Sequence, residues 1–209
     1  MLQLFGHSNS RSTRIAWLFE ELGLEYQFKL VDFSKGEHIS ADYLAINPGG
    51  KLPAIKDGDF VMTESAAIVT YFSEAFADLG FIPATGTPDR AAYEQWSYFT
   101  LSELEQPLWT MGKHKFALPA EHRVKAVLKT AEWEFQEVLK LLSLGLGEKP
   151  YILGETFQAV DILIGHTLMW GFSFKQAIEQ ENLQAYIKRL RSREALKRAT
   201  AKEAAALGN

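Results

Sequence analysis

The spacing of apolar residues changes character once along the chain, near residue 80, and this restricts the fold more than any other feature. Before that point, strand and helix periods take turns. Residues 2–5 read Leu-Gln-Leu-Phe, a short apolar strand. Ile15, Leu18, Phe19 and Leu22 then fall at i, i+3, i+4 and i+7, one face of a helix that Gly23 stops. Tyr26, Phe28 and Leu30 alternate with Gln27, Lys29 and Val31, which predicts a second strand ending in the polar loop from Asp32 to Ser40. A short helix over 41–46 runs into the turn cluster Asn47-Pro48-Gly49-Gly50. Two short strands follow, 52–56 and 59–62, joined by the hairpin signal Asp57-Gly58. Ile68, Tyr71, Phe72, Ala75 and Phe76 mark the next helix. The order strand, helix, strand, helix, strand, strand, helix is that of an α/β unit with a mixed sheet and right-handed crossovers.

From residue 89 to 209 the period is helical almost throughout, as in Ala126, Leu128, Trp133, Phe135, Val138, Leu139 and Leu142. The expected division is therefore an α/β domain over 1–80, a linker over 81–88 and an all-helical domain over 89–209. The Ala-rich tail after Lys197 is expected to fray. With 209 residues and 47% hydrophobic content, the chain can bury a core in one large or two small domains. Its net charge of −4 is spread without like-charge blocks, so no nucleic-acid partner is expected. No segment reads as a signal peptide or a membrane span: Asp161 and His166 interrupt the most apolar run. A cytoplasmic protein follows. There are no cysteines, which excludes disulfides and any chemistry using the protein's own thiol. The five histidines show no paired-ligand spacing, and no metal is expected.

Two features of residues 49–68 suggest a site. Pro53 cannot donate to a sheet ladder, so it belongs at a strand start or an edge, where it biases Leu52 towards an extended conformation. The backbone of Leu52 is then available to pair with an extended peptide. Glu64-Ser65 opens the following helix, where free N–H groups and the helix dipole favour an anion. Ser65 adds a hydroxyl to that anion site, and Glu64 offers a carboxylate to an adjacent cation. Together they suit a zwitterionic amino-acid head group. Each half has a plainer explanation, a strand-start proline and an N-cap supplied by Thr63 or Ser65. In combination they describe a receptor for a short peptide.

This stretch, with Gly36-Glu37-His38 upstream, resembles the glutathione site of the cytosolic glutathione transferases, nearest to the serine-type, bacterial and phi-like members. The likeness runs from end to end: a thioredoxin-like N-terminal domain, Asn-Pro followed by a strand-start proline, the Glu-Ser pair, a linker and a helical domain. It implies a cis bond before Pro53 and pairing of Leu52 with the cysteinyl backbone of glutathione. It also places the γ-glutamyl group on Glu64 and Ser65, and the glycyl end on His38 and Lys51. Ile39 stands where phi-type members often carry a basic residue. The loop at residues 7–14 contains three serines. Alignment with the phi-like loop assigns the thiol-activating role to Ser10, with Ser8 and Ser12 as alternatives; Ser12 suits a helix cap better. Arg11 or Arg14 can add positive potential near the sulfur, although an exposed helix face is the commoner place for arginine.

The resemblance implies glutathione as co-substrate, a small apolar electrophile as second substrate and a homodimer. The electrophile is expected to lie between the domains, with Tyr98, Trp109, Met111 and Phe116 as wall candidates and Pro107 kinking or ending its helix. Asp161 matches the family's buried N-capping motif, with Gln158 in place of its usual Ser or Thr. The leading expectation is a glutathione transferase, with reduction of organic hydroperoxides as a second use of the same thiolate. The alternative is a non-catalytic binding or assembly module of the same fold.

Overall fold

The computed structural model describes residues 1–208. Residues 1–81 together with the chain from Arg191 form one compact unit, and Ile82–Leu190 form another.

The first unit is built on a four-stranded sheet in the order β2-β1-β3-β4. Its strands are β1 (Gln3–Gly6), β2 (Gln27–Leu30), β3 (Ala54–Asp57) and β4 (Phe60–Thr63). β1 pairs in parallel with β2 and antiparallel with β3, and β3 pairs antiparallel with β4. Helix α1 (Ser12–Leu22) makes the crossover from β1 to β2 and ends at Gly23, whose φ of 67° is the left-handed cap for which glycine is suited. The short α2 (Ala41–Leu44) precedes β3, and α3 (Ser65–Ala75) follows β4. This is the mixed-sheet α/β arrangement expected from the sequence. The hairpin differs in detail. Asp57 pairs with Phe60, so Gly58 and Asp59 are the central residues, and Gly58 with φ 60° occupies the first central position, as a type II′ turn requires.

The tail is helical as far as Leu207, and Asn209 lies outside the described residues. Residues Glu194–Leu207 form α9, which buries Ala195, Leu196, Ala199 and Glu203, and it packs along α1. Arg193, at its N-cap, grips Glu21 with both arms of its guanidinium, while Arg198 and Lys202 reach Glu20 at 2.9 Å each. Alanine-rich sequence has high helix propensity, and the docked apolar stripe supplies what an isolated helix of this length lacks. The sequence boundary at 89–209 grouped this segment with the other helices; its contacts are with the sheet unit.

The second unit is helical. It contains α4 (Pro88–Phe99), α5 (Glu105–Gly112), α6 (Val127–Leu146), α7 (Ala159–Ser173) and α8 (Glu181–Arg191). Helix α7 is buried on every side from Ala159 to Leu168, as expected for a central core helix. Trp96 lies against Gly145 so closely that a Cβ there would sit 2.1 Å from the ring. Pro107 neither ends nor breaks its helix. A single π-helical stretch, Thr100–Leu104, precedes α5, and a second, Lys113–Ala117, follows it. Such a stretch provides the extra room that a proline needs against the preceding turn. Asp161, at the start of α7, accepts hydrogen bonds from the backbone N–H of Ile152 at 3.0 Å and of Gln158 at 2.8 Å, and from the Tyr186 hydroxyl.

Candidate functional site

Strand register decides which segments can meet. Phe5 stands opposite Ala54, Ala54 opposite Thr63, and Gly6 opposite Leu30. The chain leaving β1, the chain entering β3, the chain leaving β4 and the chain leaving β2 therefore all lie at one end of the sheet. Those four segments carry Ser10, then Lys51 to Pro53, then Glu64 and Ser65, and finally His38. The site residues expected from the sequence thus share one sheet end, the carboxyl end of β1, where open α/β sheets bind their ligands.

The loop between β1 and α1 is organised by hydroxyl groups. Ser10 Oγ lies 2.8 Å from Ser12 Oγ and accepts the Ser12 backbone N–H at 3.2 Å. Ser12 is fully buried, donates its own hydroxyl to the His7 carbonyl at 3.0 Å and accepts the His7 N–H at 3.1 Å. Ser12 is therefore the buried tie between helix and strand and does not cap α1, whose N-cap position is held by Arg11. Gly6 makes this close approach possible, since a Cβ there would fall 2.5 Å from Ser12 Oγ. Asn9, at φ 60°, turns the loop, and Ser10 is half-buried at the N-terminal end of α1, where the helix dipole favours negative charge.

Ser12, Thr13 and Arg14 are three consecutive buried polar residues, and each ties the first turn of α1 to a different element. Ser12 holds the loop. Thr13 Oγ1 lies 3.0 Å from both carboxylate oxygens of Glu203 on α9. Arg14, wholly buried, donates to Ser65 Oγ on α3 at 3.0 Å. Arg14 thus does not occupy the exposed helix face that is the commoner place for an arginine; its guanidinium lies inside, beside the start of α3.

Leu52 and Pro53 are buried, the bond between them is cis, and β3 begins only at Ala54. Among the described residues the Leu52 N–H and carbonyl make no hydrogen bond, which leaves a strand-like edge open for pairing. The approach to this edge is rigid. The Lys51 carbonyl accepts both the Tyr43 hydroxyl at 2.6 Å and the Asn47 side-chain amide at 2.7 Å, and Asn47 also accepts the Gly49 N–H at 3.0 Å. Burial pushes the Tyr43 hydroxyl pKa up to about 12, so it remains a donor at any physiological pH. The Lys51 side chain is exposed. Tyr43 and Asn47 were missed as site supports, although an Asn heading a Pro-Gly-Gly turn is a recognisable signal.

Neither Thr63 nor Ser65 caps α3. Glu64 occupies the N-cap position with φ 65° and ψ 105° and makes no capping bond with its side chain. A non-glycine residue held there costs about 1–3 kcal/mol and persists because its surroundings enforce it. Glu64 is exposed and Ser65 is 4% exposed, so the charged group faces water while the hydroxyl sits at the helix start. His38 lies in a short 3-10 turn, its ring edge-on to Phe33 at 4.9 Å, and Phe33 also meets the His7 ring at 5.3 Å. His7 Nδ1 is 2.9 Å from the Ser8 carbonyl, which can only accept, so Nδ1 carries the proton.

Of the apolar wall candidates, Met111 is fully buried core, Trp109 is half-buried, and Tyr98 and Phe116 are well exposed. Among the described residues no three or more His, Asp or Glu side chains are grouped to hold a metal ion, and no described helix is long and apolar enough to cross a membrane.

Residues 1–74 match the family described as "Glutathione S-transferase, N-terminal domain". Over 168 residues the chain is 30% identical to glutathione S-transferase PARB of Nicotiana tabacum, covering 77% of this chain and 78% of that one. It is 27% identical over 201 residues to glutathione S-transferase A of Pleuronectes platessa, covering 94% and 89%. The fold superposes on a glutathione transferase structure from Methylococcus capsulatus with a TM-score of 0.87 at 23% identity, covering 98% of this chain and 100% of that one. With this sheet, this helical unit and this level of identity across most of its length, the chain belongs to the glutathione S-transferase family.

Proposed function

We propose that the protein is a glutathione transferase in which Ser10 stabilises the thiolate of glutathione for attack on an apolar electrophile. The observation that supports this most is the register of the sheet, which gathers Ser10, the open backbone of Leu52 and the Glu64-Ser65 helix start at one sheet end. A peptide lying across that end pairs its cysteinyl backbone with Leu52. Its γ-glutamyl head meets Glu64 and Ser65, and its glycyl carboxylate meets His38 and Lys51.

Ser10 is suited to its role because Ser12 N–H occupies one acceptor position on its oxygen. With the Ser12 proton given to the His7 carbonyl, the Ser10 proton lies towards Ser12 Oγ at 2.8 Å, and it turns from there to reach a sulfur. The α1 dipole lowers the thiol pKa further. The benefit has a limit. Moving a thiol pKa from roughly 8.5 to about 6.5 takes about 2.7 kcal/mol and makes most of the thiol ionised at neutral pH. Nucleophilicity falls at the same time, with a slope of about 0.4–0.5, which returns roughly a tenfold loss. Most of the acceleration must come from holding the electrophile beside the sulfur.

In substitution, the thiolate forms a C–S bond while the leaving group departs with its electron pair and the thiol proton passes to solvent. With an organic hydroperoxide, the thiolate attacks the terminal oxygen and the O–O bond breaks. An alcohol and a glutathione sulfenic acid result, and a second glutathione converts the latter to the disulfide and water. We assign glutathione binding to residues 1–80, electrophile recognition to helices α4–α8 of the 89–209 segment and the linker to 81–88. A homodimer in the cytoplasm is taken from the family.

The test is turnover of glutathione with a panel of aryl halides, activated alkenes and an organic hydroperoxide, following conjugate and alcohol separately. Conjugate from at least one electrophile supports the transferase, and alcohol supports the peroxidase use. No turnover with any of them, together with no binding of glutathione, moves the protein to the non-catalytic module class.

A further inference from the structure

The Arg14 guanidinium is tied to the start of a second helix. It is fully buried, and it sits in the first turn of α1, where the helix dipole disfavours a cation. Its side chain reaches the first residue of α3, another positive helix end, and donates to Ser65 Oγ at 3.0 Å. The start of α3 and a guanidinium thus meet at one hydroxyl, on a residue that is 4% exposed. A serine hydroxyl has one proton to give and two lone pairs with which to accept. Once Arg14 N–H occupies a lone pair, the oxygen is polarised and its proton becomes the better donor. The arrangement gives Ser65 a strong preference for a negatively charged acceptor.

We propose that Arg14 is a positioning residue for the α-carboxylate of the γ-glutamyl head group, acting through the Ser65 hydroxyl; this rests on the glutathione reading above. Arg14 does not touch the reacting sulfur. Its effect falls on ground-state binding of one end of the peptide and leaves the thiol and the chemical step alone. A guanidinium with planar, fixed donors holds the serine in a way that an ammonium on a flexible stem does not. Lysine at this position retains the charge and loses the hold.

The test compares the affinity of glutathione with that of its analogue in which the γ-glutamyl α-carboxylate is replaced by hydrogen. Wild type is expected to prefer glutathione by about tenfold to a hundredfold, the scale of a charge-assisted hydrogen bond. In Arg14→Met that preference falls at least several-fold, KM for glutathione rises, and kcat at saturation and the pKa of the bound thiol stay put. Arg14→Lys gives a smaller fall of the same kind and serves as the variant to read if Arg14→Met does not fold. In Ser65→Ala the preference also falls, and adding Arg14→Lys to it changes nothing further. A role in folding alone would weaken both ligands equally, so an unchanged ratio in Arg14→Lys, or additive losses in the double variant, overturns the proposal while glutathione binding stands. If wild type binds neither ligand, both this inference and the glutathione reading fall.

Discussion

Thr13 and Glu203 are 190 positions apart in sequence, yet the threonine hydroxyl lies 3.0 Å from both oxygens of the glutamate. The contact joins the turn that carries the Ser10 loop to the last helix of the chain. Glu203 is 1% exposed, and burial raises its pKa from 4.5 to about 7, partly offset by the hydrogen bond from Thr13. Tyr26 is a titratable neighbour that feels the Glu203 charge, and Lys202 lies over the Tyr26 ring at 3.9 Å.

The folded state therefore binds the Glu203 proton more tightly than the unfolded chain does. Between the two pKa values the folded state holds more protons, so stability falls as pH rises through that window and levels off above it. The loss attributable to this group is at most about 3 kcal/mol. Urea unfolding between about pH 5 and pH 8 checks this. Glu203→Gln should be more stable than wild type at the alkaline end and lose that advantage at the acid end. A variant destabilised equally at every pH would show that Glu203 is ionised in the folded protein.

Gly6→Ala should damage the site from within the sheet. The new methyl would meet Ser12 Oγ at 2.5 Å and Phe28 Cε2 at 2.9 Å, so Ser12 must move, and Ser10 moves with it. We expect a loss of about 1–3 kcal/mol in stability and a rise in the pKa of bound glutathione thiol in the fraction that folds. Thermal unfolding and thiolate absorbance together test this. An unshifted thiol would mean that the Ser10–Ser12 contact is irrelevant to the sulfur.

Asp161 is a folding residue. Its carboxylate, wholly buried, accepts two backbone N–H groups and the Tyr186 hydroxyl, and burial together with Asp161 drives the Tyr186 pKa upward. Asp161→Asn turns an amide against those donors and should cost about 2–4 kcal/mol. The kcat of the folded fraction should stay at the wild-type value, read from activity normalised to native protein. A fall in that normalised kcat would give Asp161 a second role.

The sheet and helix order was legible in the sequence because Ile15, Leu18, Phe19 and Leu22, and the alternation from Tyr26 to Val31, carry their period openly. So was the start of β3 just after Leu52-Pro53, since proline cannot donate to a ladder. The buried polar tie was not. A Ser-Thr-Arg run carries no mark of burial, and the burial of Ser12, Thr13 and Arg14 depends on partners such as Ser65 and Glu203, 51 and 190 positions away. No local pattern encodes such a contact. Propensity also misled at the tail, where alanine signals a helix and says nothing of what it docks on. At Pro107 the rule that proline ends a helix gave way to a π-helical stretch upstream, a backbone adjustment without a sequence mark.

The most direct test of the account is the ultraviolet titration of glutathione thiolate bound to wild type and to Ser8→Ala, Ser10→Ala and Ser12→Ala. The structure predicts a depressed thiol pKa in wild type that returns towards the free value in Ser10→Ala and stays depressed in Ser8→Ala. Ser12→Ala should give a partial return accompanied by a loss of stability, since Ser12 acts on the sulfur only through the loop it ties. A thiol pKa in bound wild type no lower than that of free glutathione, or one unmoved in Ser10→Ala, would contradict the assignment of Ser10.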